Sequence, residues 1–112
     1  MASDFDGQMD EVRIWSTTRS ATEIQSLMNS ELCGTETGLI AYYDFNQGTA
    51  GGSNGSITTL TDKTGNNDGT LNGFTKSGST SNFVTSTAIG TNALAFDGAD
   101  NYIMVSNRVV KR

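Results

Sequence analysis

A chain of 112 residues with 35% apolar side chains can bury one modest core but not two, and thirteen glycines with no proline make it a loop-rich one. It contains no histidine, which removes Ser-His-Asp and Cys-His nucleophilic chemistry and the usual imidazole-ligated zinc and iron centres from what this chain can do by itself. Its formal net charge of −5 opposes nucleic acid as a partner, because that affinity comes mostly from Lys and Arg neutralising phosphate.

Met1-Ala2-Ser3 reads as an expression start, and no basic, apolar leader follows it; a secreted parent would carry its signal elsewhere. The first segment, residues 4–34, predicts a strand and a helix. Gln8 to Trp15 alternates: Asp10, Val12 and Ile14 fall on one face, Glu11, Arg13 and Trp15 on the other, as in a half-buried strand. Ser20-Ala21-Thr22-Glu23 is a capping box, and Ile24, Leu27, Met28 and Leu32 follow on one stripe, predicting a helix from about Ala21 to Cys33 that Gly34 stops. Cys33 has no intrachain partner for a disulfide and reads as a buried or half-buried small hydrophobe at the helix end.

Residues 38–75 predict connecting strands. Leu39, Ala41, Tyr43 and Phe45 share one face and Ile40, Tyr42, Asp44 and Asn46 the other, which suits a central strand. This segment also holds the longest apolar run, Leu39 to Tyr43, far short of the roughly 18 residues of a membrane span. Residues 47–56 contain four glycines and no large apolar side chain, predicting a flexible loop. Short strands are expected at Thr58–Thr61 and Thr70–Phe74, separated by the turn-rich Lys63–Gly69, and a C-terminal hairpin over 93–106 from Ala93–Phe96 and Tyr102–Val105. Many short strands, one helix and no βαβ rhythm predict a single mainly-β domain, a β-sandwich with one short α-helix at an edge.

Three stretches carry a resemblance. DGQMDEVRIWSTTRSATEIQSLMNSEL resembles the C-terminal hallmark, and ALAFDGADNYIMV the N-terminal hallmark, of laminin-G-like, concanavalin A-like jelly-roll domains of bacterial surface proteins. GLIAYYDFNQG with TDKTGNNDGTLNG is similar to a unit that connects such domains, so that the likeness covers most of residues 5–106. The order is inverted: the end motif comes first and the start motif last. The chain therefore looks like the tail of one repeat, a connector and the head of the next, about half the length that such a sandwich can reach in one domain, on the order of 200 residues. Either its two hallmarks pair directly, covered by the helix, or open edges pair with a second copy as a homo-oligomer. The resemblance implies an extracellular or cell-surface location and a non-catalytic module that binds carbohydrate or a cell-surface protein. A small carboxylate-dependent glycosidase-like hydrolase and a purely structural repeat unit are the alternatives.

Candidate sites follow from residue chemistry. Tyr42 and Tyr102 could stack on a sugar ring, with Asp44 and Asn46 as hydrogen-bonding neighbours, while Trp15 and Tyr43 read as core. Asp97, Asp100 and Asn101 offer oxygen ligands for calcium in a tight turn, although three oxygens fall short of its needs and turn capping is the favoured reading of them. Asp4, Asp6, Asp10 and Glu11 form a second acidic cluster with no side-by-side catalytic pair in it; Glu11 and Arg13 read as a structural ion pair near Trp15. Asn54-Gly55-Ser56 is formally a glycosylation sequon, read here as coincidence.

Overall fold

A computed structural model describes residues 5–74, 81–87, 89–98 and 100–105. Residues 1–3, Asp4, position 99 of the 97–101 turn, and the limits 75 and 106 of two expected segments lie outside them. The described chain runs β1 (Asp6–Met9), β2 (Val12–Trp15), α1 (Ala21–Leu27), β3 (Leu39–Tyr43), β4 (Thr59–Leu60), β5 (Gly69–Asn72), β6 (Phe83–Thr85), β7 (Asn92–Asp97) and β8 (Tyr102–Val105). The protein is mainly β, with its strands in three small antiparallel sheets, β1-β7-β6, β2-β3 and β4-β5-β8.

One core joins all three sheets. Phe83, Leu94 and Phe96 enter it from the first sheet, Ala41 and Tyr43 from the second, and Leu60 and Leu71 from the third, with Phe45 and Phe74 filling between. Ile103 and Val105 of β8 pack against this cluster from one face, so alternation along β8 leaves Tyr102 and Met104 outside.

The expected strand from Gln8 to Trp15 is two strands. Glu11 sits at a φ of +56°, in the left-handed region, and there the chain leaves one sheet for the next. Alternation holds along β1 but not across the bend or along β2, where Val12 packs against the core while Ile14 is exposed beside an irregular register. β1 then lies against β7, with Asp6 opposite Asp97 and Met9 opposite Leu94, so the N- and C-terminal motifs pair directly within one chain. The helix does not cover this pair.

The expected C-terminal hairpin does not form. Both edges of β7 are already taken, by β1 and β6, so β8 crosses to β5, with Tyr102 opposite Asn72 and Met104 opposite Thr70. β6 itself, three residues long, was not foreseen from sequence.

The capping box closes as its sequence demands. Ser20 Oγ accepts from Glu23 N at 3.1 Å and Glu23 Oε1 accepts from Ser20 N at 2.8 Å. Yet the helix ends at Leu27, six residues before Cys33, because Leu32 must leave the helical path to be buried. The released carbonyls of Leu27 and Ser30 are taken by the Arg13 guanidinium, at 2.9 and 2.5 Å. Gly34 is left-handed, with a φ of +95°, but serves a later turn, and Cys33 is exposed rather than packed. α1 buries none of its residues.

The glycine-rich 47–56 segment carries its own network. Asn54 is buried, with Oδ1 accepting from Thr49 N and Nδ2 donating to Thr49 O and Ser81 Oγ, and Gly51 N donates to Phe83 O. An asparagine held at both ends of its amide inside the fold presents no nitrogen for a glycan.

Candidate functional site

Of the four residues expected to bind a sugar, Tyr42 is buried, and Asp44 and Asn46 are half-buried and hydrogen-bonded within the fold. Tyr42 is fully buried, which overturns its role as an exposed stacking ring. Alternation correctly turns it away from the main core, but the 28–33 segment covers that side: Tyr42 Oη donates to Glu11 Oε1 at 2.7 Å and accepts from Leu32 N at 3.2 Å, and the Arg13 guanidinium lies 5.5 Å from its ring centroid. Burial, then the Glu11 carboxylate, drives its phenol well above the ordinary tyrosine range. Asp44 accepts from Asn46 N and lies 3.6 Å from Lys63 Nζ. Asn46 donates to Glu31 Oε2 at 2.6 Å and accepts from Thr91 N and Asn92 N, stapling three segments together.

The Asp97–Asn101 turn is held by its own asparagine. Asn101 Oδ1 accepts from Asp97 N and its Nδ2 donates to Gly73 O, both at 2.7 Å, so the side chain proposed as a calcium ligand has both amide ends engaged. Among the described residues no group of three or more His, Cys, Asp or Glu is placed to hold a metal ion.

Tyr102 stands where its sequence placed it, 52% exposed, on the outward face of β4-β5-β8. Register supplies its neighbours: Asn72 directly opposite, then Met104 beside Thr70, which in turn lies opposite Thr59 of β4. The side chains named here are a phenol, an amide, two threonine hydroxyls and a thioether, and none of them is charged. The sequence could not show it, because the neighbours come from strands 30 and more residues away.

A concave surface lies between β2 and α1. A groove of about 360 Å³ is lined by Trp15, Arg19, Ile24, Leu27 and Met28, over a floor of Glu11 and Arg13 and with Glu23 at its side. Ile24 and Met28, read as helix core, are more than half exposed there, and Trp15 is half-buried with Arg19 stacked 3.8 Å from its ring centroid. The Glu11–Arg13 ion pair forms at 2.8 Å.

The two glutamates of this groove are displaced from the ordinary carboxyl range in opposite directions. Burial pushes Glu11 up, against the pull of its Arg13 and Tyr42 hydrogen bonds, while the Ser20 amide and Arg19 hold Glu23 below the ordinary range. Such a divergent pair can serve as acid and base, but here both are spent on structure. Glu11 Oε1 is held by Arg13 and Tyr42, its Oε2 is buried, and Glu23 closes the capping box. Asp10, raised by burial, is likewise engaged with the Ser86 hydroxyl.

Among the described residues no helix is long and apolar enough to cross a membrane. Comparison of the chain with family models, with curated proteins and with solved structures finds no match.

Proposed function

We propose that the chain is a non-catalytic binding module that takes a neutral carbohydrate on the outward face of β4-β5-β8. The observation that carries this reading is the Tyr102 ring, exposed on the sheet face beside the uncharged Asn72, Thr70 and Thr59. A sugar offers apolar C–H faces to an aromatic ring and hydroxyls to amides and side-chain oxygens, which is the chemistry this face presents. The motifs at residues 7–15 and 93–105 support placing the fold among jelly-roll-like β-sandwiches of bacterial surface proteins, outside the cell. A shallow site of one ring and a few hydrogen bonds implies dissociation constants on the order of 0.1–1 mM, sufficient for adhesion when many copies share a surface.

A panel of neutral oligosaccharides titrated into isotopically labelled protein tests it. Binding should move the resonances of Tyr102 and Asn72, and Tyr102→Ala should weaken it at least about tenfold, the loss of a good stacking contact of about 1.4 kcal/mol. Hydrolysis of a glycan, or no shift at Tyr102 with any of them, overturns the reading. The exposure of Ile24 and Met28 favours a second one, protein docking in the β2–α1 groove, which would move those resonances instead.

A further inference from the structure

Nearly every strand edge in this fold is blunted. The flank of β3 away from β2 is filled by the 62–67 turn: Lys63 N donates to Tyr42 O at 2.8 Å and Tyr42 N donates to Asp62 Oδ1 at 2.9 Å. β4 is two residues long, and the Gln47 amide runs along it as a mock strand, with Nε2 donating to Thr59 O and Oε1 accepting from Thr61 N. On β6, Phe83 O accepts from Gly51 N. β1 carries Asp6 at its start and is followed at once by the Asp10–Glu11 bend. β2 holds Arg13, follows the left-handed Glu11 and has an irregular register between Ile14 and Trp15. Charge, shortness, irregularity and cover are the means by which sheet edges avoid pairing with other chains.

β8 has none of these. Along one edge Tyr102–Val105 pairs with β5, and along the other no hydrogen bond is found among the described residues. Its four residues include no charge, proline or bulge, and Tyr102 and Met104 are 52% and 58% exposed. Open backbone donors and acceptors on such an edge call for another strand.

We propose that this strand is the β8 of a second copy of the chain, added antiparallel about a two-fold axis at Ile103. Opposed residues in a sheet must point to the same face, so this centre sets Ile103 against its counterpart and Tyr102 against the partner's Met104 on the outward side. Thioether and aromatic ring then meet twice, once on each side of the axis. Charge selects the same place: two copies of net charge −5 repel, and a neutral strand lets them approach at the lowest electrostatic cost. The two β4-β5-β8 sheets become one continuous sheet. The contact is short and therefore weak, well below the roughly 1,200 Å² of a stable interface. The inference concerns the edge of this sheet and holds whatever its outward face binds.

Sedimentation equilibrium of the full chain, from about 10 μM to about 1 mM, is the test in this weak-association range. The wild-type mass should rise with concentration from 11.9 kDa toward twice that value. Met104→Lys and Tyr102→Lys, both at exposed side chains, should each raise the dissociation constant at least about tenfold with the fold retained by circular dichroism. Ile14→Lys, an exposed apolar position on β2, should leave it unchanged. A constant monomer mass, association that survives both β8 variants, or equal loss with Ile14→Lys overturns the proposal.

Discussion

Asp62 shows how much one carboxylate can organise. It is buried, and its oxygens accept from Tyr42 N, Thr64 N, Thr64 Oγ1 and Asn67 N, at 2.7 to 3.0 Å, locking the 62–67 turn onto β3. Burial raises its pKa, but these hydrogen bonds outweigh that effect and hold it below the ordinary 3.8. A lowered carboxyl stabilises the fold above pH 3.8 and ceases to as the pH falls through its folded value. Asp10 and Glu11, raised by burial, work in reverse: their contribution is fully present below 3.8 and 4.5 and is lost as the pH rises through their folded values. Asp62→Asn sets an amide N–H₂ against donors and should cost about 2–4 kcal/mol at pH 7, with the gap to wild type narrowing below pH 3.8. Urea titrations of both proteins at pH 7 and pH 3 measure it. The turn itself was legible in Lys63–Gly69, but not its anchor, because the groups that Asp62 receives lie on β3 as well as in the turn. Tyr43, whose phenol is pushed up to about 12 by burial and by Asp62 and Asp68, is a core residue by pattern alone. Tyr42 was misread because strand alternation says which side a residue faces and not what covers that side.

At the scale of elements, local signals succeeded where local chemistry is decisive. Ser20 and Glu23 start the helix because each satisfies an amide of the other, and β3, β5, β7 and β8 appear where apolar residues alternate between turn signals. The helix end was missed because Arg13, fourteen residues before Leu27, caps it from another strand. α1 is tied to the sheets by that guanidinium more than by burial, so it should open separately from the core. Ser20→Ala is therefore expected to fall near the lower end of the usual capping range, about 0.5 kcal/mol in global stability. Amide exchange from Ile24 to Met28 should accelerate more than exchange in β7, and equal acceleration in both would show one cooperative unit. The bend at Glu11 had no signal at all, since nothing in its neighbourhood suggests a positive φ.

Over the whole molecule, the one-domain, mainly-β reading follows from composition and turn spacing, whereas strand order could not be read, because the β1–β7, β2–β3 and β5–β8 pairings join residues 24 to 91 apart in the chain. The inverted order of the two hallmark motifs also has a temporal side. Asp6 pairs with Asp97 and Met9 with Leu94, so the first strand finds its neighbour only when the seventh exists. During synthesis, β1 must emerge and wait while nearly all of the remaining domain is made. Such long-range closure slows folding, and it leaves apolar Phe5 and Met9 uncovered meanwhile. A chain ended after Thr91 should lack fixed tertiary structure by near-ultraviolet circular dichroism, although it keeps six of the eight strand sequences. Completion of β7 is then the event that commits the polypeptide to its fold, and a pause in translation ahead of it would prolong the interval in which β1 is available to chaperones, proteases or a neighbouring nascent chain.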